Sequence, residues 1–121
     1  MSEIACKILS RADWAVWCAA GTYGGSAVDR EDGFIHLSMP EQLAETARRH
    51  YAGCEDMVLA EVVLDDVPGL VWEPSRDGAL FPHVYGELAL AKVRAARALA
   101  VTAGGEMQPG EALPVRAGAT A

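Results

Sequence analysis

Apolar residues near the start of the chain are spaced as in a strand followed by a helix. Residues 4–9 are predicted to form a short first strand, and Ser10 follows with Asp13 three positions later, the spacing of a helix N-cap. The apolar side chains that recur at helical spacing after this cap are Trp14, Trp17 and Cys18. The pattern predicts a strand and then a helix over residues 11–20 that ends at Gly21.

A second helix is predicted after a brief strand at residues 34–37. Ser38 is the predicted N-cap, Glu41 stands at the third helical position, and Pro40 falls near the first, where its missing N–H costs nothing. One apolar face follows, formed by Leu43, Ala44, Ala47 and Tyr51. The predicted helix ends at Gly53.

The rest of the pattern predicts short elements separated by loops. Strands are predicted at residues 57–64, 70–73, 83–85 and 94–101, and a helical turn at 88–93. The alanine content of the last strand would equally support a helix. Loops are predicted at residues 21–33 and 74–82. Strands and helices interleave irregularly, which favours a mixed α+β domain with two to three short helices.

The domain is predicted to end before the C-terminus. Residues 1–101 contain the periodic apolar positions and form the predicted globular α+β domain. From Thr102 the chain is rich in Gly, Ala and Pro, with few large apolar residues. We therefore predict that residues 102–121 are a frayed tail.

Composition and charge limit the class of partner. The 121 residues are 51% hydrophobic and 22% charged, as in one globular domain. The net charge is −7, with ten Lys and Arg against 17 acidic residues. This balance disfavours nucleic-acid binding and attachment to an anionic membrane. A small anionic ligand is compatible, because one arginine can outweigh the global negative charge inside a cleft.

Cysteine usage and hydropathy indicate the compartment. The three cysteines, Cys6, Cys18 and Cys54, are odd in number and include no CxxC pair, which disfavours a disulfide framework or a zinc ribbon. The first residues lack the basic segment and the apolar stretch that are typical of a secretory signal. No apolar run has the length of a membrane span. We expect a cytoplasmic protein.

The first candidate site is the segment from His36 to Ser38, where the predicted strand meets the helix. Such a junction presents helix N–H groups and a partial positive charge, which suit an anion or a polarised carbonyl. His36 shares a strand face with Phe34, so its imidazole is expected on the core side. In the structural alternative, Ser38 only caps the helix and His36 is a hydrogen-bonded core residue.

The second candidate site is the segment from Trp72 to Glu87. His83 and Tyr85 are two residues apart on an extended segment and face the same side. Imidazole can transfer protons and phenol can donate or stack, so we expect His36, His83 and Tyr85 to border one concavity. In the alternative, the aromatic residues fill the core and the charged residues are solvated. The spacing of His36, His83 and Glu73 matches no known metal-ligand pattern, so no metal is predicted.

These segments together resemble the bacterial family known as domain of unknown function 952. The matching segments, which extend from residue 7 to about residue 100, are Lys7–Leu9, Tyr23–Ser26, Asp32–Ser38, Glu41–Leu43, Trp72–Glu73 and Phe81–Gly86. The combination is specific to that family. The family name itself implies no biochemical activity.

The family in turn resembles the ADP-ribosyl-transferase fold, in which two small, split sheets enclose a cleft for NAD. The resemblance implies that His36 holds a ribose hydroxyl and that Ser38 holds the nicotinamide amide. Leu37 stands where ADP-ribosylating members have glycine. An ADP-ribosyl-transferase-like fold with NAD as cofactor is therefore the expectation.

This resemblance suggests cleavage or transfer at the N-glycosidic bond of NAD or a related nucleotide. In that hypothesis Tyr85 stacks on nicotinamide and Arg76 pairs with phosphate. Glu73 or Glu87 is the catalytic carboxylate, which stabilises the positive charge developing on the ribose. His83 completes the binding set. The alternative is a noncatalytic module that binds a small polar metabolite in the same pocket.

Overall fold

The computed structural model describes residues 3–75 and 78–116 of the chain. The strands in chain order are β1 (Ile4–Ser10), β2 (Thr22–Tyr23), β3 (Ile35–His36), β4 (Met57–Val63), β5 (Leu70–Pro74), β6 (Leu80–Val84), β7 (Leu88–Ala89), β8 (Val93–Val101) and β9 (Met107–Leu113). The α-helices are α1 (Arg11–Ala20), α2 (Ala27–Asp32) and α3 (Pro40–His50), and a 3-10 helix spans Leu90–Lys92.

The strands pair in three antiparallel sheets. The largest has the order β1-β4-β8-β9, the second has the order β3-β6-β5, and the third is the pair β2-β7. The prediction of an α+β protein with small sheets and short helices is confirmed. Within the described residues, no helix is long and apolar enough to cross a membrane.

The core lies on both faces of the edge strand β1. On one face, the larger apolar cluster includes Ala5, Leu9, Trp14 and Trp17. On the other face, the smaller cluster includes Cys6, Ile8, Leu43 and Ala47. Because both faces are buried, β1 has a nearly continuous apolar sequence rather than an alternating one. Lys7 is the exception, a charged residue only 3% exposed in the middle of this strand.

Helix α1 begins and ends where the sequence predicted. The hydroxyl of Ser10 accepts a hydrogen bond from the backbone N–H of Asp13 at 3.0 Å. At the other end, Gly21 adopts the left-handed conformation with φ 78° and donates its N–H to the carbonyl of Trp17. Local capping chemistry therefore determines both ends of this helix.

Helix α3 begins later than predicted. Met39 is the N-cap, and the side chain of Gln42 accepts the N–H of Met39 at 2.9 Å, so Ser38 is not the cap and Glu41 is not the third residue. The reason is a long-range contact: the backbone of Ser38 exchanges two hydrogen bonds with Cys6, at 2.7 and 2.9 Å. This pairing holds Ser38 in an extended conformation.

Two predicted loops contain regular structure. The segment 21–33 holds β2 and α2, and α2 begins with a capping box in which Ser26 and Asp29 each bond the other's backbone N–H. The sequence analysis predicted a loop here because the glycines of this segment were given more weight than its capping pattern. The segment 74–82 includes the start of β6, which pairs with β5 from Leu80 onward.

The predicted frayed tail contains the edge strand β9. Residues Met107–Leu113 pair with β8 in antiparallel register. Most of these residues are exposed, so they lack the apolar pattern that predicts a strand, and backbone hydrogen bonds to β8 hold them instead. Pro109 is tolerated because an edge strand has one unpaired side. Residues 117–121 lie outside the described part of the chain.

Candidate functional site

The site lies in a gap between β1 and β3. The chain just after β3 pairs with β1 at one point, the bridge between Cys6 and Ser38, and the two strands separate from there. A cavity of about 580 Å³ occupies the gap. Its lining includes the strand residues Lys7, Ile8, His36 and His83, the α2 residues Asp29 and Asp32, and Leu43, Thr46 and Tyr51 on the α3 side.

His36 is held between two carboxylates. Its Nδ1 lies 2.6 Å from Oδ1 of Asp29, and its Nε2 lies 3.0 Å from Oδ2 of Asp32. Carboxylate oxygens in these ion pairs only accept hydrogen bonds, so a ring protonated on both nitrogens satisfies both contacts. The side chain is 36% exposed, which places the ring at the mouth of the cavity rather than in the core.

Asp29 is the centre of this charge network. The carboxylate is buried and accepts four hydrogen bonds, from the His36 ring, the His36 N–H, the Lys7 ammonium at 2.8 Å and the Ser26 N–H. Burial raises the pKa of Asp29, but the hydrogen bond from His36 and the charge of Lys7 outweigh it and hold the pKa well below its usual value. Burial lowers the pKa of Lys7, and Asp29 opposes that shift. Asp29 is therefore an ionised, fully partnered anchor for His36.

His83 lies directly across from His36 on β6, with the ring centroids 5.5 Å apart. Its Nδ1 is 2.7 Å from Oε1 of Glu73, and the hydroxyl of Tyr85 donates to the same oxygen at 2.7 Å. The hydrogen bonds from His83 and Tyr85 lower the pKa of Glu73. Phe34 stacks on the His83 ring at 4.2 Å. The carboxylate and the stacked ring fix the orientation of His83, whose Nε2 has no partner among the described residues.

Ser38 lines the cavity through a hydrogen-bonded hydroxyl. Its Oγ lies 2.9 Å from Oγ1 of Thr46, which itself donates to the backbone carbonyl of Gln42 at 3.2 Å. Since the Thr46 proton is used in that bond, the Ser38 hydroxyl donates to Thr46. Ser38, which follows β3, therefore contacts α3 through its side chain and β1 through its backbone.

The structure brings together some of the predicted site residues. His36, Ser38 and His83 line the same cavity, whereas Tyr85 is 45% exposed and is linked to it through Glu73 and Phe34. The expectation of one concavity bordered by His36, His83 and Tyr85 is correct for the two histidines and wrong for Tyr85.

The predicted carboxylates and arginine are placed differently. Glu73 is hydrogen-bonded to His83 but does not line the cavity, and Glu87 lines a separate cavity of about 280 Å³ beside Arg30 and Phe34. Arg76 lies outside the described residues. Within the described residues, no group of three or more His, Cys, Asp or Glu side chains could hold a metal ion.

Sequence analysis missed the charged residues that border the cavity, Lys7, Asp29 and Asp32. Two signals for them are present in the sequence. Lys7 interrupts an apolar strand, and a lysine with apolar neighbours on both sides needs a buried partner. Ser26 and Asp29 have the capping-box spacing, which would have placed a helix and its carboxylate in the predicted loop.

The chain matches one protein-family model and solved structures of one protein, CC0527. Residues 8–96 match the family described as "Protein of unknown function (DUF952)". The crystal structure of protein CC0527 from Caulobacter crescentus is 44% identical, with a TM-score of 0.81, and the match covers 87% of this chain and 93% of that one. The solution NMR structure of CC0527 is also 44% identical, with a TM-score of 0.74 and coverage of 85% and 90%. No curated protein matches the chain.

Proposed function

This chain belongs to the DUF952 family, and from the chemistry of its cavity we propose that it binds NAD or a related nucleotide there. The observation that carries the proposal is the pair of facing histidines, His36 and His83, at a cavity of about 580 Å³. Sites for small molecules have volumes of roughly 300–1,000 Å³. The cavity therefore has the size for the nucleoside end of such a ligand.

The charges at the cavity support one orientation of the ligand. Asp13, Asp29 and Asp32 line it, and Lys7 is already paired with Asp29. Carboxylates attract the cationic nicotinamide ring of NAD and repel its phosphates. The nicotinamide riboside end therefore enters, and the diphosphate stays toward Ser75 at the lining of the cavity.

The ADP-ribosyl-transferase-like arrangement is part of the proposal. The separation of β1 from β3 beyond a single bridge gives two small sheets with a cleft between them, which supports this arrangement. His36 and Ser38, which the resemblance assigns to ligand binding, both line that cleft.

Noncatalytic binding is the function that the geometry supports best. Neither Glu73 nor Glu87 lines the cavity, so neither predicted carboxylate is next to a bound ribose. Cleavage at the N-glycosidic bond is the second candidate, and one observation favours it. The carboxylate of Asp32 lines the cavity and is 47% exposed, so it could stabilise positive charge on the ribose in place of the glutamates.

Ligand-induced stabilisation tests the proposal. A ligand that binds only the folded state stabilises it by about 2.7 kcal/mol at a hundredfold excess over Kd. NAD, ADP-ribose and nicotinamide are titrated separately against thermal unfolding of the wild type, His83→Asn and His36→Asn, with Arg94→Gln as a control on an exposed ion pair. We expect His83→Asn to lose most of the shift, His36→Asn to lose less of it because both His36 ring nitrogens already have carboxylate partners, and the control to keep it.

The same samples separate binding from catalysis. Release of nicotinamide from NAD over hours, lost in Asp32→Asn, would favour the glycosidic reaction over simple binding. Stabilisation by NAD without any release supports the noncatalytic module. Absence of a shift with millimolar NAD and ADP-ribose would overturn the proposal for this class of nucleotide.

A further inference from the structure

Backbone hydrogen bonds show which edges of β1 and β3 face each other. Glu3 and Arg11 bond to the β4 side, and in a strand alternate residues bond to the same side. The backbone groups of Cys6, Ile8 and Ser10 therefore point away from β4. Cys6 confirms this direction, because its N–H and carbonyl both bond to Ser38.

The same alternation applies to β3. The N–H of Leu37 donates to the carbonyl of Pro82 on β6, so the backbone groups of His36 and Ser38 point away from β6 and toward β1. If the pairing continued past the bridge between Cys6 and Ser38, Ile8 would lie opposite His36. Two hydrogen bonds would then join them, as two join Cys6 and Ser38.

Side chains replace one of these two bonds. The hydroxyl of Tyr51 donates to the carbonyl of Ile8 at 3.2 Å, and Asp29 accepts the N–H of His36 at 3.2 Å. Burial raises the pKa of Tyr51 to about 12, so its hydroxyl keeps the proton that it donates. In a continuous sheet the Ile8 carbonyl would have accepted the His36 N–H. Each of these two backbone groups now bonds a side chain instead.

The other bond is not replaced. The N–H of Ile8 and the carbonyl of His36 have no hydrogen-bond partner within residues 3–75 and 78–116. Both residues line the cavity, and Ile8 is only 3% exposed. Buried backbone groups are almost always paired, with protein, water or ligand. The gap thus presents one donor and one acceptor across from each other.

We propose that this gap is a subsite for a carboxamide, which accepts a hydrogen bond from the Ile8 N–H and donates one to the His36 carbonyl. A planar primary amide carries an acceptor and donors side by side, and so complements both strands at once. A carboxylate offers acceptors only and would face the His36 carbonyl with a negative oxygen. The proposal rests on the proposed nucleotide function. It adds that the carboxamide is the end of the nucleotide that enters the cavity first.

Backbone NMR on the intact wild-type protein tests this subsite. The probes are nicotinamide, nicotinate and 3-methylpyridine, which share a ring and differ in the group at one position. We expect nicotinamide to move the amide proton of Ile8 and the carbonyl carbon of His36 downfield and to slow hydrogen exchange at Ile8. The amides of Lys7 and Leu9, which face β4, are internal controls and should not change.

The matched probes decide the outcome. Nicotinate should bind at least tenfold more weakly than nicotinamide, and 3-methylpyridine should leave the Ile8 amide unshifted. Equal shifts with 3-methylpyridine, no shift at Ile8 with nicotinamide, or an Ile8 amide as protected in the free protein as that of Lys7 would overturn the subsite. If NAD stabilises the protein but Ile8 does not respond, only the subsite fails. If Ile8 responds to nicotinamide but NAD gives no stabilisation, only the nucleotide function fails.

Discussion

Replacement of Asp29 by Asn is the perturbation with the largest expected effect on stability. The substitution keeps the size of the side chain but removes the charge that faces Lys7, whose side chain is 3% exposed. Removing one partner of a buried ion pair typically costs about 3–5 kcal/mol, because the other charge remains buried without compensation. Domains have total stabilities of about 5–15 kcal/mol, so the variant should be close to the limit of folding.

Chemical denaturation of a double-mutant cycle measures this cost. Lys7→Met should be less costly than Asp29→Asn, because Asp29 keeps the His36 ring and two backbone N–H donors. The double variant should be more stable than the sum of the single changes predicts, by about 0.5–3 kcal/mol. Asp56→Asn, which removes an exposed ion pair with Arg11, is the control and should cost about 0–1 kcal/mol.

The pH dependence gives an independent check with a definite sign. The pKa of Asp29 in the folded state lies below its usual value. Its stabilising contribution is therefore complete above the unfolded-state pKa of about 3.9 and is lost as the pH falls below it. The stability of the wild type should fall more steeply on acidification than that of Asp29→Asn. Two results together would refute the assignment of Asp29 as the ionised anchor: a cost below about 1 kcal/mol for Asp29→Asn, and the same loss of stability on acidification in the variant as in the wild type.

Two further substitutions test the fold around the site. A Cβ at Gly69, where φ is 78°, would collide with the carbonyl of Tyr85, so Gly69→Ala should destabilise well beyond the roughly 1–2 kcal/mol of left-handed backbone strain. Gly53→Ala is the matched control, because φ is 81° there with nothing within 4 Å, and equal costs would contradict the predicted collision. Ser38→Ala should cost about 0.5–1.5 kcal/mol through loss of the bond to Thr46. Because Ser38 is not an N-cap, Ser38→Asp should destabilise by more, and thermal melts that show it as stable as wild type would restore the capping role.

The elements that the sequence predicts best are those determined within one or two turns of chain. Helix α1 is an example, because Ser10, the apolar spacing and Gly21 are sufficient to define it. Helix α3 begins elsewhere because Ser38 pairs with Cys6, far away in sequence. Strand β9 was missed for a related reason: the β8 backbone holds it in place, and its own side chains carry no apolar pattern.

The sequence predicted the two histidines of the candidate site but not the charged residues around them. His36 and His83 were recognised as polar residues on short extended segments, and the register of β3 and β6 puts them side by side. The role of Asp29 depends on Lys7 from β1 and His36 from β3 converging on one carboxylate. No spacing in the sequence encodes that convergence, which arises only when the two sheets are assembled.

The geometry of the site indicates that His83, rather than His36, should respond to a ligand. Both ring nitrogens of His36 already face carboxylates, so this ring can gain a new partner only if Asp32 gives way. His83 uses one nitrogen to bond Glu73, and within the described residues its other nitrogen has no partner at the cavity. A carboxylate behind one nitrogen sets the tautomer and leaves the other for exchange with a ligand. His36 is therefore best understood as a ring held in place by two carboxylates at the mouth of the cavity, and His83 as the residue equipped to exchange a hydrogen bond there.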